Sequence, residues 1–390
     1  MSAEPTTVMR PMPAPVPVPM SSTGPRHSTR EARVRVLQLG PALDVRGGVS
    51  AVEQLICDYL PPYAAIRHVA TTSEAGWMRR GLEFGRALHQ LSRALDSIEP
   101  TVIHVHFASR GSTLRKMLLA QLVIRARRPL ILHAHGGGFD RFHRGLPSVL
   151  RRLVNRTLQQ ANLVITLSSQ WRDFYIRECE LAPSQVVVLP NPVRVPAKIP
   201  DRSGHREVQF VHLGKLGKGK GSYDLVKAFL ALPDELRARA RLVLAGNGDV
   251  AELQEAAGQD SRITVLPWVD STERDRLLAE SDVFVLPSYA EGVPMSLLES
   301  MAAGMPCITT PVGGIPDLIT QGVEGLLVPP GDVEQLSLAM ARLITDDGLR
   351  VAAGLRAYER AGANDVHAYA RRLAEHYLRI APVAELRVES

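Results

Sequence analysis

Two successive rounds of alternating strand-like and helix-like segments constrain this chain more than any other feature. Short runs rich in leucine and β-branched residues, RVRVLQL (33–39), TVIHVH (101–106), LILHAH (130–135), NLVITLS (162–168) and VVVLP (186–190), are separated by helical patterns such as Val49, Val52, Leu55, Ile56 and Tyr59. Such alternation marks βαβ units, because a parallel strand needs a crossover that lays a helix back on the sheet. A stretch with four prolines, PNPVRVPAKIPDRSGH, interrupts the pattern. It then restarts with VQFVHL (208–213), RLVLAG (241–246), RITVLPW (262–268), DVFVLP (282–287) and PCITTP (306–311). The chain is therefore expected to be α/β, with two Rossmann-like doubly wound domains over 32–192 and 207–365 joined by a linker at 193–206. A last helical pattern at 366–380 lies beyond the second set of strands and is free to cross back to the N-terminal domain. Ligands of such sheets bind outside the carboxyl ends of the strands, so each loop that follows a strand is a candidate site element.

Composition narrows the setting. No apolar run approaches the roughly 20 residues that span a bilayer, and Cys57, Cys179 and Cys307 are too far apart for a metal knuckle or a disulfide framework. A reducing cytoplasm fits. Residues 1–31 are proline-rich without a signal-peptide core, which reads as a disordered tail; its PAPVPVP run also suits a polyproline-binding partner. Residues 1–195 carry 25 basic and 13 acidic side chains, residues 196–390 carry 21 and 27. That split points the N-terminal half toward something anionic: a membrane surface, a phosphorylated lipid or nucleic acid.

Three loops carry the chemistry. After the first strand, Gly47 and Gly48 precede a helix whose first amides suit a phosphate, although the full G-x-G-x-x-G spacing is missing and a plain turn reads equally well. After VQFVHL comes GKLGKGKGS, where Lys215, Lys218 and Lys220 crowd a strand-to-helix turn suited to a pyrophosphate. The segment 214–220 spells G-x-x-x-x-G-K, but Gly221 occupies the place where a P-loop needs Ser or Thr for Mg²⁺. The third loop leads into EGVPMSLLESMA, with Pro294 suited to a first helical turn and Glu299 eight residues after Glu291. Carboxylates so placed can accept hydrogen bonds from sugar hydroxyls, or simply complement the helix dipole.

These residues resemble the retaining glycosyltransferases of family four, which adopt the GT-B fold of two Rossmann-like domains facing a cleft. The likeness runs from Arg33 to about Arg379. It rests on E-G-x-P-x-x-L-L-E-x-M-A at 291–302, G-K-L-x-x-x-K-G at 214–221, A-G-x-G at 245–248, P-V-G-G-I-P at 311–316 and G-L-L-V-P-P-G-D at 325–332. The resemblance implies that Lys215, in place of a more usual arginine, and Lys220 bind the donor pyrophosphate. It gives Glu299 the nucleotide ribose and Glu291 the hydroxyls of the transferred sugar, with Gly292 and the backbone from Pro294 to Leu298 completing the cradle. In the N-terminal domain Gly47 and Gly48 approach the donor phosphates, His135 lies on the reacting side of the sugar, and Ser168 lies near the cleft. Catalytic roles fall to Glu291, His135 and Lys220, while Asp317, where the family more often has glutamate, receives none.

The pairs HVH (104–106) and HAH (133–135) each place two imidazoles on one face of a strand, but no glutamate or cysteine joins them at ligand spacing and no Asp-x-Asp motif offers a clamp for a divalent ion. Metal-independent chemistry without a cofactor is expected, with lysines and helix N-termini stabilising the departing diphosphate. No nucleophile stands out, which favours a front-face route over a covalent intermediate.

The segments HFASRGSTLRK (106–116) and HAHGGGFD (133–140), with Lys215, look most like the α-mannosyltransferases of acetan- and xanthan-type exopolysaccharide pathways. That likeness implies GDP-mannose as donor and a polyprenyl-diphosphate-linked oligosaccharide as acceptor; UDP-glucose and UDP-N-acetylhexosamine remain alternatives, as does a non-catalytic nucleotide-sugar sensor. Nucleic acid finds no aromatic-basic motif to support it. Arg115, Lys116, Arg125, Arg127, Arg128, Arg151 and Arg152 are expected to hold the protein peripherally on an anionic membrane, at the inner face of the cell membrane.

Overall fold

The computed structural model describes residues 34–381 apart from 75, 98–100, 110 and 203–204 and the side chain of Trp77. The tail read at 1–31 lies outside these. The first parallel sheet comprises β1 (Val34–Gly40), β2 (Ala64–Ala70), β3 (Thr101–Phe107), β4 (Leu130–Ala134), β5 (Leu163–Thr166) and β6 (Val186–Val188), in the order β2-β1-β3-β4-β5-β6. The second comprises β7 (Val208–Leu213), β8 (Ala240–Ala245), β9 (Ile263–Leu266), β10 (Val283–Leu286), β11 (Cys307–Thr309) and β12 (Gly325–Leu327), in the order β12-β11-β10-β7-β8-β9. Strand order reverses beside β1 in one sheet and β7 in the other, and these switch points open the crevices where ligands bind. Two parallel six-stranded sheets with helices are the GT-B arrangement.

Ten strands coincide with the runs read from the sequence. β2 and β12 do not. Both are edge strands; β2 leaves Arg67 exposed and Ile66 and His68 half-buried, so its sequence lacks the continuous apolar character of a strand covered on both faces. β12 is only three residues long.

The helix Val366–Ile380 packs against the N-terminal sheet. Asp365 caps it by accepting from the amides of His367 and Ala368. Its face of Val366, Tyr369, Leu373 and Tyr377 is buried with Val34 and Val36 of β1 and Val52, Leu55 and Ile56 of the helix Gly48–Tyr59. Burying four such side chains contributes on the order of 2 kcal/mol each before entropy is counted. The chain's return also binds the linker, since Val193 and Val366 exchange backbone hydrogen bonds with neighbours at 2.9 Å: Val193 N to Asn364 O, and Val366 N to Val193 O. Arg202 holds the linker's other end, its guanidinium donating to the carbonyls of Ser281, Leu278 and Ala303.

Candidate active site

The loop after β7 has to cross the end of β10, and glycine makes the crossing possible. Gly221 has φ +70°, and a Cβ there would stand 2.2 Å from the Pro287 carbonyl oxygen. From this loop Lys220 turns inward: its Nζ lies 2.6 Å from Oε1 of Glu291, which also accepts from Ser288 Oγ at 2.7 Å. Glu291 is 6% exposed. Lys215 and Lys218 stay exposed on the wall of a cleft of about 900 Å³. Ser109, Gly137 and Arg141 form the opposite wall. Among the described residues lining this cleft, Asp249 is the one carboxylate against Arg141, Lys215, Lys218 and Lys220. Such a surplus of cations is suited to an anionic ligand.

Two helix N-termini face each other nearby. Neither Gly47, before the helix Gly48–Tyr59, nor Pro294, before the helix Met295–Ala302, supplies a side-chain cap, and neither first turn holds an acidic residue. The first-turn amides are thus left to an outside acceptor. A Cβ on Gly48 would lie 3.4 Å from Met295 Cγ, which sets how close the two turns come.

His135 follows β4 at the seam between the domains. Its Nε2 is 2.7 Å from Nδ1 of His106, and burial pushes its pKa down to about 3, so the ring is neutral. The backbones cross here: a Cβ on Gly137 would stand 2.5 Å from the Glu291 carbonyl carbon, and one on Gly292 would stand 2.8 Å from the His135 carbonyl oxygen. Ser168 is buried at the same seam, where its Oγ accepts from Trp171 N at 3.3 Å and caps the helix Ser169–Glu178. Glu299 is held by Arg274, Nη1 to Oε1 3.2 Å. Burial raises its carboxyl above the ordinary value and the Arg274 guanidinium opposes that shift.

Several sequence expectations change. Pro294 is the cap and Met295 opens the helix, so proline stands one place before the first turn. Leu298 is not a free amide of the cradle: its N–H donates to Pro294 O at 3.3 Å and its side chain is fully buried. The amides ahead of that first helical bond belong to Met295, Ser296 and Leu297. Lys116 is no surface cation. It is 3% exposed and its amine donates to Thr71 Oγ1. Arg128 is spent on the Leu95 carbonyl, its Nη2 2.8 Å away. Asp317, given no role, crosses the domain boundary: its Oδ2 accepts from Ser169 N at 2.7 Å and both oxygens accept from Ser169 Oγ at 2.9 Å.

Sequence reasoning also passed over Ser109, Arg141 and Asp249. All three follow strands, after β3, β4 and β8, so the rule of carboxyl-end loops held their signal. Arg274 and Asp317 carried none, because their partners are distant in sequence.

The fold and cleft define a GT-B glycosyltransferase. Residues 34–195 match the description "Glycosyltransferase Family 4" and residues 207–346 match "Glycosyl transferases group 1"; with a domain of each type, the chain belongs to the GT-B glycosyltransferases. It is 35% identical over 154 residues to N-acetyl-alpha-D-glucosaminyl L-malate synthase of Bacillus anthracis, covering 38% of this chain and 39% of that protein. It is 25% identical over 282 residues to the Escherichia coli UDP-Gal:alpha-D-GlcNAc-diphosphoundecaprenol alpha-1,3-galactosyltransferase, covering 67% and 70%. The crystal structure of Anabaena HepE in complex with UDP-glucose superposes with a TM-score of 0.70 at 19% identity, covering 88% of this chain and 98% of that one, a likeness of fold.

Proposed function

We propose that the chain is a retaining glycosyltransferase that moves a hexose from a nucleotide sugar to a lipid-linked oligosaccharide in polysaccharide synthesis, with mannose from GDP-mannose the first donor to test. The observation that carries this reading is the Lys220–Glu291 pair, which joins the glycine- and lysine-rich loop that lines the cationic cleft to the buried carboxylate of the E-G-x-P segment. The lipid-linked acceptor is supported by the diphosphoundecaprenol in the name of the Escherichia coli relative. That name and the UDP-glucose bound by the Anabaena protein keep UDP sugars among the candidates.

Departure of a nucleoside diphosphate leaves negative charge on phosphate and positive character on the anomeric carbon. Lys215, Lys218 and the first-turn amides at Gly48 and Met295 answer the first, in a site organised before the reaction. Lys220 has three donors, so one proton can hold Glu291 while another meets a phosphate oxygen. Glu291, fixed by Lys220 and Ser288, keeps acceptor capacity for sugar hydroxyls. His135, neutral and held by His106, orients the sugar rather than supplying a cation. With Glu291 paired in this way, departure and attack on one face, the leaving phosphate taking the acceptor's proton, is the route we favour.

On the acceptor side Leu114, Leu118 and Leu122 form an exposed stripe on the helix Gly111–Arg125, which packs on the helix Ser148–Gln159 with Val149, Leu150 and Leu153 exposed. Exposed Arg115, Arg125, Arg127 and Arg152 flank them. This mixed apolar and basic face supports peripheral attachment to an anionic membrane. Among the described residues no helix is long and apolar enough to cross one.

A donor panel decides the reaction. Purified protein is incubated with GDP-mannose, UDP-glucose, UDP-N-acetylglucosamine and UDP-galactose, with and without polyprenyl-diphosphate oligosaccharide, and released nucleoside diphosphate is measured. Acceptor-dependent release from GDP-mannose supports the full proposal; release from a UDP sugar alone removes mannose; no release from any donor removes the transferase reading.

A further inference from the structure

His104 and His106 alternate on β3, His133 of β4 alternates with His135 just past that strand's end, and alternate residues of a strand face the same way. β3 and β4 are hydrogen-bonded neighbours with His106 opposite His133, so four imidazoles share one face of the sheet. Helices Gly48–Tyr59 and Val366–Ile380 pack over this part of the domain and bring Glu53 and Tyr377 to the cluster. His104, His106 and His133 are buried, and one ring nitrogen from each lies within 4.8 Å of the other two. Nε2 of His104 and Nδ1 of His133 are 3.3 Å apart. That separation is the edge of a tetrahedron whose bonds are about 2.0–2.1 Å, the length of a zinc–imidazole bond.

Packing alone does not explain the polar atoms left over. Glu53 is fully buried, neither of its carboxylate oxygens has a hydrogen-bond partner, and Oε1 lies 3.8 Å from His106 Nδ1. Nε2 of His106 is also without a partner. Each unsatisfied buried group costs stability, and these three atoms belong to one cluster. The surroundings orient the rings as the outer contacts of a metal site do: Tyr377 OH is 2.7 Å from His104 Nδ1, and His135 Nε2 is 2.7 Å from His106 Nδ1.

We propose that His104, His106 and His133 bind a divalent transition-metal ion, with Glu53 as the balancing carboxylate. Three imidazoles, with a carboxylate beside them, favour zinc over magnesium or calcium, which prefer all-oxygen sites. None of the three histidines lines the cationic cleft, so the ion acts on the fold. It ties β3 and β4 to the helix of Glu53 and, through Tyr377, to the returning C-terminal helix.

Untagged full-length protein is equilibrated with Zn²⁺, dialysed against metal-free buffer and assayed for zinc per chain, and its affinity is measured by competition with a chromogenic chelator. One equivalent is expected, with Co²⁺ giving the intense visible bands of a tetrahedral site. His104→Gln and His133→Gln each weaken binding by at least 100-fold, Glu53→Gln and Tyr377→Phe by about tenfold, and His89→Gln, at an exposed histidine, leaves it unchanged. If the histidine variants do not fold, Glu53→Gln and Tyr377→Phe decide. Folded wild-type protein that retains no zinc, or folded cluster variants that hold it as tightly as wild type, overturn the site.

Discussion

Lys220 Nζ and Glu291 Oε1 lie 2.6 Å apart, 71 positions distant in sequence, and join the loop after β7 to the loop after β10. Lys220→Ala and Glu291→Ala are each expected to lower turnover by about 10²–10³-fold, the scale of removing one preorganised electrostatic contact. The two differ in stability. Lys220→Ala leaves a buried carboxylate with Ser288 as its remaining side-chain partner and costs about 1–3 kcal/mol, whereas Glu291→Gln keeps a hydrogen-bonding group and costs less. Steady-state kinetics with thermal melts separate the effects; near-normal transfer by either alanine variant removes that residue from the site.

Gly137→Ala tests whether the domains work in the closed arrangement. The new methyl group would meet the Glu291 backbone at 2.5 Å, so the seam must open. Misplacement of about 1 Å can cost 10²-fold in rate, and a loss of that size is expected with little change in the far-ultraviolet circular dichroism. Unchanged kcat/KM contradicts closure at this seam.

Asp317 and Ser169 clasp the two domains at an exposed position. Asp317→Asn keeps one acceptor and is expected to lower kcat/KM about threefold; Asp317→Ala loses both and is expected to lower it about tenfold, near the 1.5 kcal/mol of a charge-assisted hydrogen bond. Small-angle scattering should show a larger radius of gyration for the alanine variant. Identical kinetics and scattering remove the clasp.

Donor turnover should survive brief treatment with excess EDTA, because the cleft lining presents four cations and one carboxylate. Complete loss that Mg²⁺ or Mn²⁺ restores contradicts this, and places a metal on the pyrophosphate.

Binding to vesicles should need anionic lipid and fall as NaCl is raised, since charges near a membrane are screened within about 8 Å at physiological salt. Replacing Arg125, Arg127 and Arg152 by Ser should weaken it several-fold, at about 1 kcal/mol per basic residue near the surface. Lys116→Ser should act through stability instead, because that amine is buried. Equal sedimentation with neutral vesicles sinks the membrane assignment and leaves the donor cleft untouched.

Apolar periodicity marks the two rounds of parallel strands and the loops that follow them. Central strands are covered on both faces, so their runs are continuously apolar, and glycines and lysines stand out where strands end. The placing of Lys220, Glu291 and the Gly47–Gly48 turn in loops that follow strands was legible for that reason. The edge strands β2 and β12 were not, because a half-exposed or three-residue strand leaves a weak pattern. Only the tertiary structure turned Lys116 inward, engaged Arg128 with a carbonyl, gave Asp317 a partner and set HVH beside HAH under Glu53. Each of these depends on a contact between segments that local periodicity treats as independent. Periodicity tells which face of a strand is covered, and packing decides what covers it.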